Sequence, residues 1–391
     1  MTPPAVVALL LSPFVNDSRV LRVNRTLATH GYGVTLLALH EDGLPRSERV
    51  AGFQVRRFAL STKRWSRRPA VQLIKYLECM VRMAWTGVRL RPSFVHANDL
   101  NSLPIGYCIS RLTGAALVYD SHEYWAGCTA MRRFAPWVQR VALRMERMIA
   151  KRARAVITVS PGIVDRLQPV FGSVPIHLVR NVPDRTTTRP ATARAGIRAS
   201  LGLKAETPLL LFQGYVVPGR GVEVVIAAMA QLPAPIHFAI LGNGTARYLS
   251  GLRVLAEQLG VAARVSFVPA VPSEELVEYA RTADFGISPM RPGGISDALS
   301  LPNKVFEYLQ SGLPVIHSGS DEVRRLLVPY DVGRWFAEGD ATALASVIEG
   351  LLADPDELRR LRRNCVRAAS ELQWENEQQR LLEAYASVSG R

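Results

Sequence analysis

The stretch from Ala5 to Leu39 leaves the fold little freedom. Ala5 to Leu11 is a near-continuous apolar run, the pattern of a strand buried on both faces of a parallel sheet. Ser12 to Ser18 is a polar loop. Arg19 to Thr29 repeats Val20, Val23, Leu27 and Ala28 at helical spacing, His30-Gly31 closes it, and Val34 to Leu39 is apolar again. Strand, helix and strand in that order predict a doubly wound α/β domain. No G-x-G-x-x-G fills the first turn, so a dinucleotide site is not indicated. The loop instead reads Asn16-Asp17-Ser18-Arg19, in which Asp17 or Ser18 is also a good helix cap.

The alternation continues. Strands are expected over 52–59, 94–97, 116–120 and 155–159, with helices over 71–90, 102–112 and 131–154. Asp184 to Arg198 is rich in Thr, Arg and Pro without periodicity and reads as a linker. It divides a first domain, 1–184, from a second, 199–374. With 391 residues the chain has room for both. Two polar segments, His96-Ala-Asn-Asp99 and Asp120-Ser-His122-Glu123, leave neighbouring strands at their carboxyl ends, where open α/β sheets bind ligands. His122 between acids is a candidate site residue, with a satisfied buried histidine as the alternative. His96 and Asp99 fit a structural role as well as a site role.

In the second domain, strand 208–213 runs into G-Y-V-V-P-G-R-G (Gly214 to Gly221) and a helix over 222–230. Glycine allows close backbone approach to a ligand, and Arg220 at a helix entrance suits a diphosphate. Strand 237–241 ends in Gly242-Asn-Gly244, a second such turn. A helix is expected after Ser300 as N-cap with Pro302 in the first turn, and Leu301, Val305 and Leu309 make its apolar face. Asn303 and Glu307 share another side. A carboxylate one turn inside such a helix can accept from two vicinal hydroxyls. It could equally pair with Lys304 on a solvated face.

The run P-N-K-V-F-E-Y-L-Q-S-G-L-P-V (Pro302 to Val315) and the H-A-N-D/D-S-H-E pair resemble the retaining, family-four type of group 1 glycosyltransferases. The likeness extends over essentially the whole chain. It implies the GT-B fold, two Rossmann-like doubly wound domains facing each other across a cleft, with the helix over 375–391 packing back on the first. It implies that Glu307 holds the donor ribose. Gly214, Gly219, Gly242, Val268, Leu301, Pro302 and Asn303 would line the donor site, with the Val268 backbone at the base. It places Asn16, Asp17, Arg19, His96, Asp99 and Glu123 on the acceptor side, and His122 against the donor sugar. Arg220 and Lys304 would stabilise the departing diphosphate without a metal ion or other cofactor. The family pattern has a second Glu where this chain has Leu299; Asp297 is the nearest carboxylate. The implied activity is sugar transfer from a nucleoside diphosphate sugar to a glycan or lipid-linked acceptor, as in cell-surface polysaccharide or glycolipid synthesis. Two other readings stay open: a GT-B epimerase or phosphorylase, and a non-catalytic nucleotide-sugar-binding homologue.

Charge adds a partner. Through Asp184 there are 26 Lys and Arg against 11 Asp and Glu, the whole net surplus of +15, while the remainder is balanced. Arginine-rich coding would affect both halves alike, so an anionic surface is expected near the first. The Met131 to Arg154 segment, basic with Trp137, is expected to put one face on the sheet and a basic rim toward an anionic membrane. Nucleic acid is not expected, since no known module appears and the cations lack interleaved aromatics. Four scattered cysteines form neither a disulfide framework nor a zinc pattern. No apolar run is long enough to span a bilayer, and the N-terminal residues lack the basic region of a signal peptide. The expected location is cytoplasmic, or peripheral on the inner face of the cell membrane.

Overall fold

Leu36 and Leu37 point to opposite faces of one strand, yet both are fully buried. Helices therefore cover both sides of the sheet, as the apolar runs predict. The computed structural model describes residues 3–15, 17–66, 68–184, 196–272, 275–291 and 293–389. The chain groups into two units, Met1–Asn181 with Glu377–Arg391, and Val182–Asn376. Asn16 and most of the expected linker, 185–195, lie outside the described residues.

In the first unit the strands are β1 (Ala5–Leu9), β2 (Gly33–Leu39), β3 (Ser47–Val50), β4 (Phe53–Phe58), β5 (Phe94–Asn98), β6 (Ala116–Ser121), β7 (Ala155–Thr158) and β8 (Ile176–Leu178). Their order is β3-β4-β2-β1-β5-β6-β7-β8. All pairs are parallel except the β3–β4 hairpin at the edge. The chain winds outward in one direction from β1 and in the other from β5. The gap between these two strands is the topological switch point, where ligands bind in such sheets.

Two helices differ from expectation. Met131 to Arg154 is not one helix: a 3₁₀ turn at Met131–Arg133 precedes a helix at Pro136–Ala150. Pro136 takes the first helical position and pushes Ala135 into an extended conformation, which separates the two. The inner side of this helix is packed, with buried Glu146 accepting from Tyr119 Oη at 2.7 Å. The second difference is at Asp99, which opens the Asp99–Thr113 helix directly after β5.

Residues of the Trp374–Ser389 helix brace the first unit. Glu377 accepts from the Arg180 backbone N–H at 2.9 Å and pairs with its guanidinium at 3.0 Å. Tyr385 packs against Phe94 and Tyr32.

The second unit holds β9 (Leu209–Gln213), β10 (His237–Leu241), β11 (Val265–Val268), β12 (Phe285–Pro289), β13 (Val315–Ser318) and β14 (Gly333–Trp335). They form a parallel sheet in the order β11-β10-β9-β12-β13-β14, with the switch point between β9 and β12. Those two strands pair only at Leu210 and Leu211 before parting. The buried Tyr308 fills the gap: its Oη accepts from Gln213 N–H at 2.9 Å and reaches the Leu211 carbonyl at 3.0 Å. Gly286 makes this possible, because a Cβ there would fall 2.3 Å from the Tyr308 ring. The Asn303–Gln310 helix is thereby pinned over the switch point. Its cap is Pro302, not Ser300. Ser300 Oγ donates instead to the Asp297 carbonyl at 2.8 Å, closing the preceding short helix Ile295–Ala298.

Among the described residues, no helix is long and apolar enough to cross a membrane.

Candidate functional site

Each unit assembles a polar group at the carboxyl edge of its sheet. In the first, β5 ends at Asn98, whose side chain donates to the Leu9 carbonyl at 2.9 Å across the switch point. Asp99 follows with φ +64°, a left-handed conformation that aspartate tolerates better than most residues. This turns its carboxylate to the end of β6. There it accepts from His122 N–H at 3.2 Å and lies 3.1 Å from His122 Nδ1. On the other side of the ring, Nε2 is 3.3 Å from Asp120 Oδ2. Burial opposes charging of the imidazole, but the two carboxylates win and raise it to about 10. His122 is therefore an imidazolium held between acids, with its side chain 19% exposed.

Asp120 is the centre of the group. It is fully buried and takes a two-pronged contact from Arg19, at 3.0 Å from Nε and 2.6 Å from Nη2. Arg19 also donates to the Val179 carbonyl at 2.8 Å. Burial favours the protonated acid, yet the Arg19 guanidinium and then His122 hold Asp120 ionised, well below the usual carboxylate range. Behind it His96 Nε2 lies 3.5 Å away, and His96 Nδ1 meets Tyr385 Oη at 2.9 Å.

Burial corrects two expectations for the acceptor side, His96 and Arg19. His96 has no exposed surface and Arg19 is 3% exposed, so both act from beneath and neither can touch an acceptor. Asp17 caps the Ser18–Thr29 helix, accepting from Val20 N–H at 3.0 Å. Glu123 is partly buried, and its carbonyl accepts from Ser121 Oγ at 2.9 Å. Asp99 shares its carboxylate with His122. Sequence reasoning quoted Asp120 but did not single it out as a site residue; it is the penultimate residue of β6 and fully buried.

In the second unit, β9 ends at Gln213 and the chain turns at Gly214 with φ +123°. Lys304 reaches over this turn from the Asn303–Gln310 helix. Its Nζ sits 3.7 Å from the Phe212 ring centre and would be 3.8 Å from a Cβ at Gly214. The residue is 9% exposed. Burial, and then the nearby Arg220 charge, push its ammonium down to about 7 against the pull of Glu307. Pairing of Lys304 with Glu307 on a solvated face is thus ruled out, since the lysine is interior. Glu307 Oε2 instead accepts from Gln213 Nε2 at 2.7 Å. Gln213, polar at the end of Leu-Leu-Leu-Phe, was not singled out from sequence. Arg220 is exposed.

The surrounding turns depend on glycine. A Cβ at Gly242 (φ +149°) would fall 1.9 Å from the Gly214 carbonyl oxygen, and one at Gly221 (φ +72°) 1.7 Å from that of Pro289. Gly242→Ala is expected to lower stability by about 2 kcal/mol or more. Gly251→Ala, in a helix with open space around it, should instead be neutral or stabilising; thermal unfolding of the two variants side by side checks this. Gly219 (φ +87°) accepts from Arg291 N–H at 3.3 Å, joining the glycine turn to the loop before Ile295–Ala298. From within that short helix Asp297 accepts from the loop's Gly293 N–H at 2.9 Å, which gives it a structural task near the place where Leu299 stands. The Val268 carbonyl accepts from Gly242 N–H at 2.9 Å. Leu301 is buried, Pro302 partly buried and Asn303 exposed at the helix start.

Comparisons with known proteins agree with this architecture. The family described as glycosyl transferases group 1 matches residues 194–387, and the glycosyl transferase 4-like domain matches residues 17–184. The chain is 31% identical over 224 residues to the D-inositol 3-phosphate glycosyltransferase of Xylanimonas cellulosilytica, covering 55% of this chain and 52% of that one. It is 29% identical over 257 residues to the GDP-mannose-dependent alpha-(1-6)-phosphatidylinositol monomannoside mannosyltransferase of Mycolicibacterium smegmatis, covering 63% and 64%. The alignments thus span only about half to two thirds of these relatives. Among solved structures, the sucrose-phosphate synthase of Thermosynechococcus elongatus superposes with a TM-score of 0.80 at 21% identity, over 98% of this chain and 99% of that one. Anabaena HepE in complex with UDP gives 0.76 at 16%, over 98% and 100%. These likenesses show the GT-B fold.

Proposed function

The chain belongs to the group 1 glycosyltransferases, and from that premise we propose that it moves a sugar from a nucleoside diphosphate donor to a glycan or lipid-linked acceptor, with retention at the anomeric carbon. One observation carries this reading: a buried ammonium, Lys304, lies over a glycine turn beside Arg220, with the Glu307 carboxylate one helical turn further on. Two cations at a close-approach turn suit a diphosphate, and a carboxylate oriented by Gln213 suits vicinal ribose hydroxyls. HepE, of the same fold, has been solved with UDP and with UDP-glucose.

In this reading Lys304 and Arg220 take up the charge that develops on the departing diphosphate, without a metal ion. Lys304 is suited to the task because burial leaves its ammonium poorly solvated, so a phosphate oxygen would be its best partner. Gln213 is a positioning residue: it holds one oxygen of Glu307 so that the carboxylate keeps its orientation. In the first unit, the Asp99 and Asp120 carboxylates flank the His122 ring. Asp120, Arg19 and His96 fix the ring from behind.

A thermal-shift screen against UDP, GDP, ADP and their sugars identifies the donor, since a ligand of the folded state stabilises by mass action. With that donor, nucleoside diphosphate should be released faster when an acceptor is added; consumption that ignores every acceptor would favour an epimerase. Glu307→Gln should lower kcat/KM by about 10- to 100-fold through loss of a charged ribose contact. An unchanged value would remove Glu307 from the donor site.

A further inference from the structure

The Pro69–Arg89 helix turns an apolar side to water. Leu73, Leu77, Val81 and Trp85 recur once per turn and, with Ile74, are 44–64% exposed. Cys79, Met83 and Ala84 on the other side are buried. A helix on a domain surface ordinarily exposes its polar stripe, and a contiguous apolar one marks a docking face.

The charges around the stripe are mainly positive. Glu78, the helix's sole acid, is occupied: it accepts from the Ser61 and Thr62 N–H groups at 2.7 and 3.0 Å and pairs with Arg82 at 3.1 Å. Lys75 Nζ donates to the Trp65 carbonyl at 2.9 Å, tying that half-exposed tryptophan to the helix. The Arg89 guanidinium lies 4.4 Å over the Trp85 ring at the end of the stripe. Gly87 lets the helix meet its neighbour closely, since a Cβ there would fall 2.4 Å from Ile109. Asp99–Thr113 in turn packs on Pro136–Ala150, whose Trp137 and Val141 are 64% and 56% exposed.

We propose that this face of the first unit docks on an anionic lipid bilayer, with the Pro69–Arg89 helix as its main apolar contact. This moves the principal lipid contact from residues 131–154 to an earlier helix, and it does not depend on the catalytic reading. Two observations favour lipid over a second copy of the chain. The surplus of positive charge lies wholly before residue 185, so copies meeting through this face would repel. An apolar stripe ending in tryptophan and rimmed by arginine has the composition of helices that lie among lipid headgroups.

The test uses the full chain with vesicles of phosphatidylcholine alone or mixed with phosphatidylglycerol. Sedimentation should show at least about tenfold stronger binding to the anionic vesicles. Leu77→Gln with Val81→Gln should weaken that binding by about a hundredfold, because each apolar side chain removed from the bilayer is worth about a decade. Trp137→Gln with Val141→Gln should weaken it less. Because Leu77 and Val81 are exposed, an unchanged unfolding temperature shows the variant to be folded. Wild-type binding by the Leu77/Val81 variant, or equal binding to both vesicle types, overturns the proposal. So does a concentration-dependent dimer that the same substitutions dissolve.

Discussion

Asp120→Asn is expected to destabilise the first unit by about 3–5 kcal/mol, the usual cost of removing one partner from a buried ion pair. The variant keeps the shape of the side chain but leaves the Arg19 guanidinium buried opposite a neutral amide, and it releases one side of His122. The midpoint of urea unfolding, followed by a probe in the first unit, measures the effect. Arg19→Met combined with Asp120→Asn should cost less than Asp120→Asn alone, because the stranded charge is then gone. Additive losses would show that the pair is not coupled. The acid limb has a defined sign. Asp120 is held below its ordinary range, so its contribution is present above the unfolded-state value and lost only as pH falls through the depressed one.

Lys304→Met should weaken nucleoside diphosphate binding by about 10- to 100-fold, the range of a lost charge-assisted contact, while leaving the unliganded chain as stable or more so. Its ammonium is already pushed down to about 7 by burial and Arg220. A bound diphosphate would raise it again, so the wild-type chain should take up a proton on binding above about pH 7, and affinity should fall as pH rises. Calorimetry in two buffers of different ionisation enthalpy reads the proton directly. The Met variant should show neither the uptake nor the pH slope. Binding by the wild type that is flat from about pH 6 to about pH 9, with the variant equal to it, would separate Lys304 from the diphosphate. In the unliganded chain the sign is that of a depressed base: stability rises as pH climbs from about 7 toward the ordinary lysine value.

How much of this was legible in the sequence varied with how local the determinants are. Strands such as β1, β6 and β9 are continuous apolar runs, and the structure places them within a residue or two of expectation. The strands that went unread, β3, β8 and β14, are short pieces at or beside a sheet edge, with no apolar run to mark them. The single helix expected over 131–154 failed at Pro136, a local signal outweighed by the run of cations around it. At the site, Glu307 and His122 could be named from motif position. The interior position of Lys304 could not, because it is set by Phe212 and the Gly214 turn, residues far away in sequence. Asp120 and Gln213 have no meaning until the sheets bring Arg19 and the Asn303–Gln310 helix to them. Distance along the chain, rather than residue type, hid them.

The bond between His96 and Tyr385 has a consequence for biosynthesis. The N-terminal half leaves the ribosome with every strand of its sheet, yet the hydroxyl that seats His96 is translated nearly three hundred positions later. The part made first is therefore completed last, and in the nascent half the face of β5 at Phe94 and His96 lacks Tyr385 until the closing helix arrives.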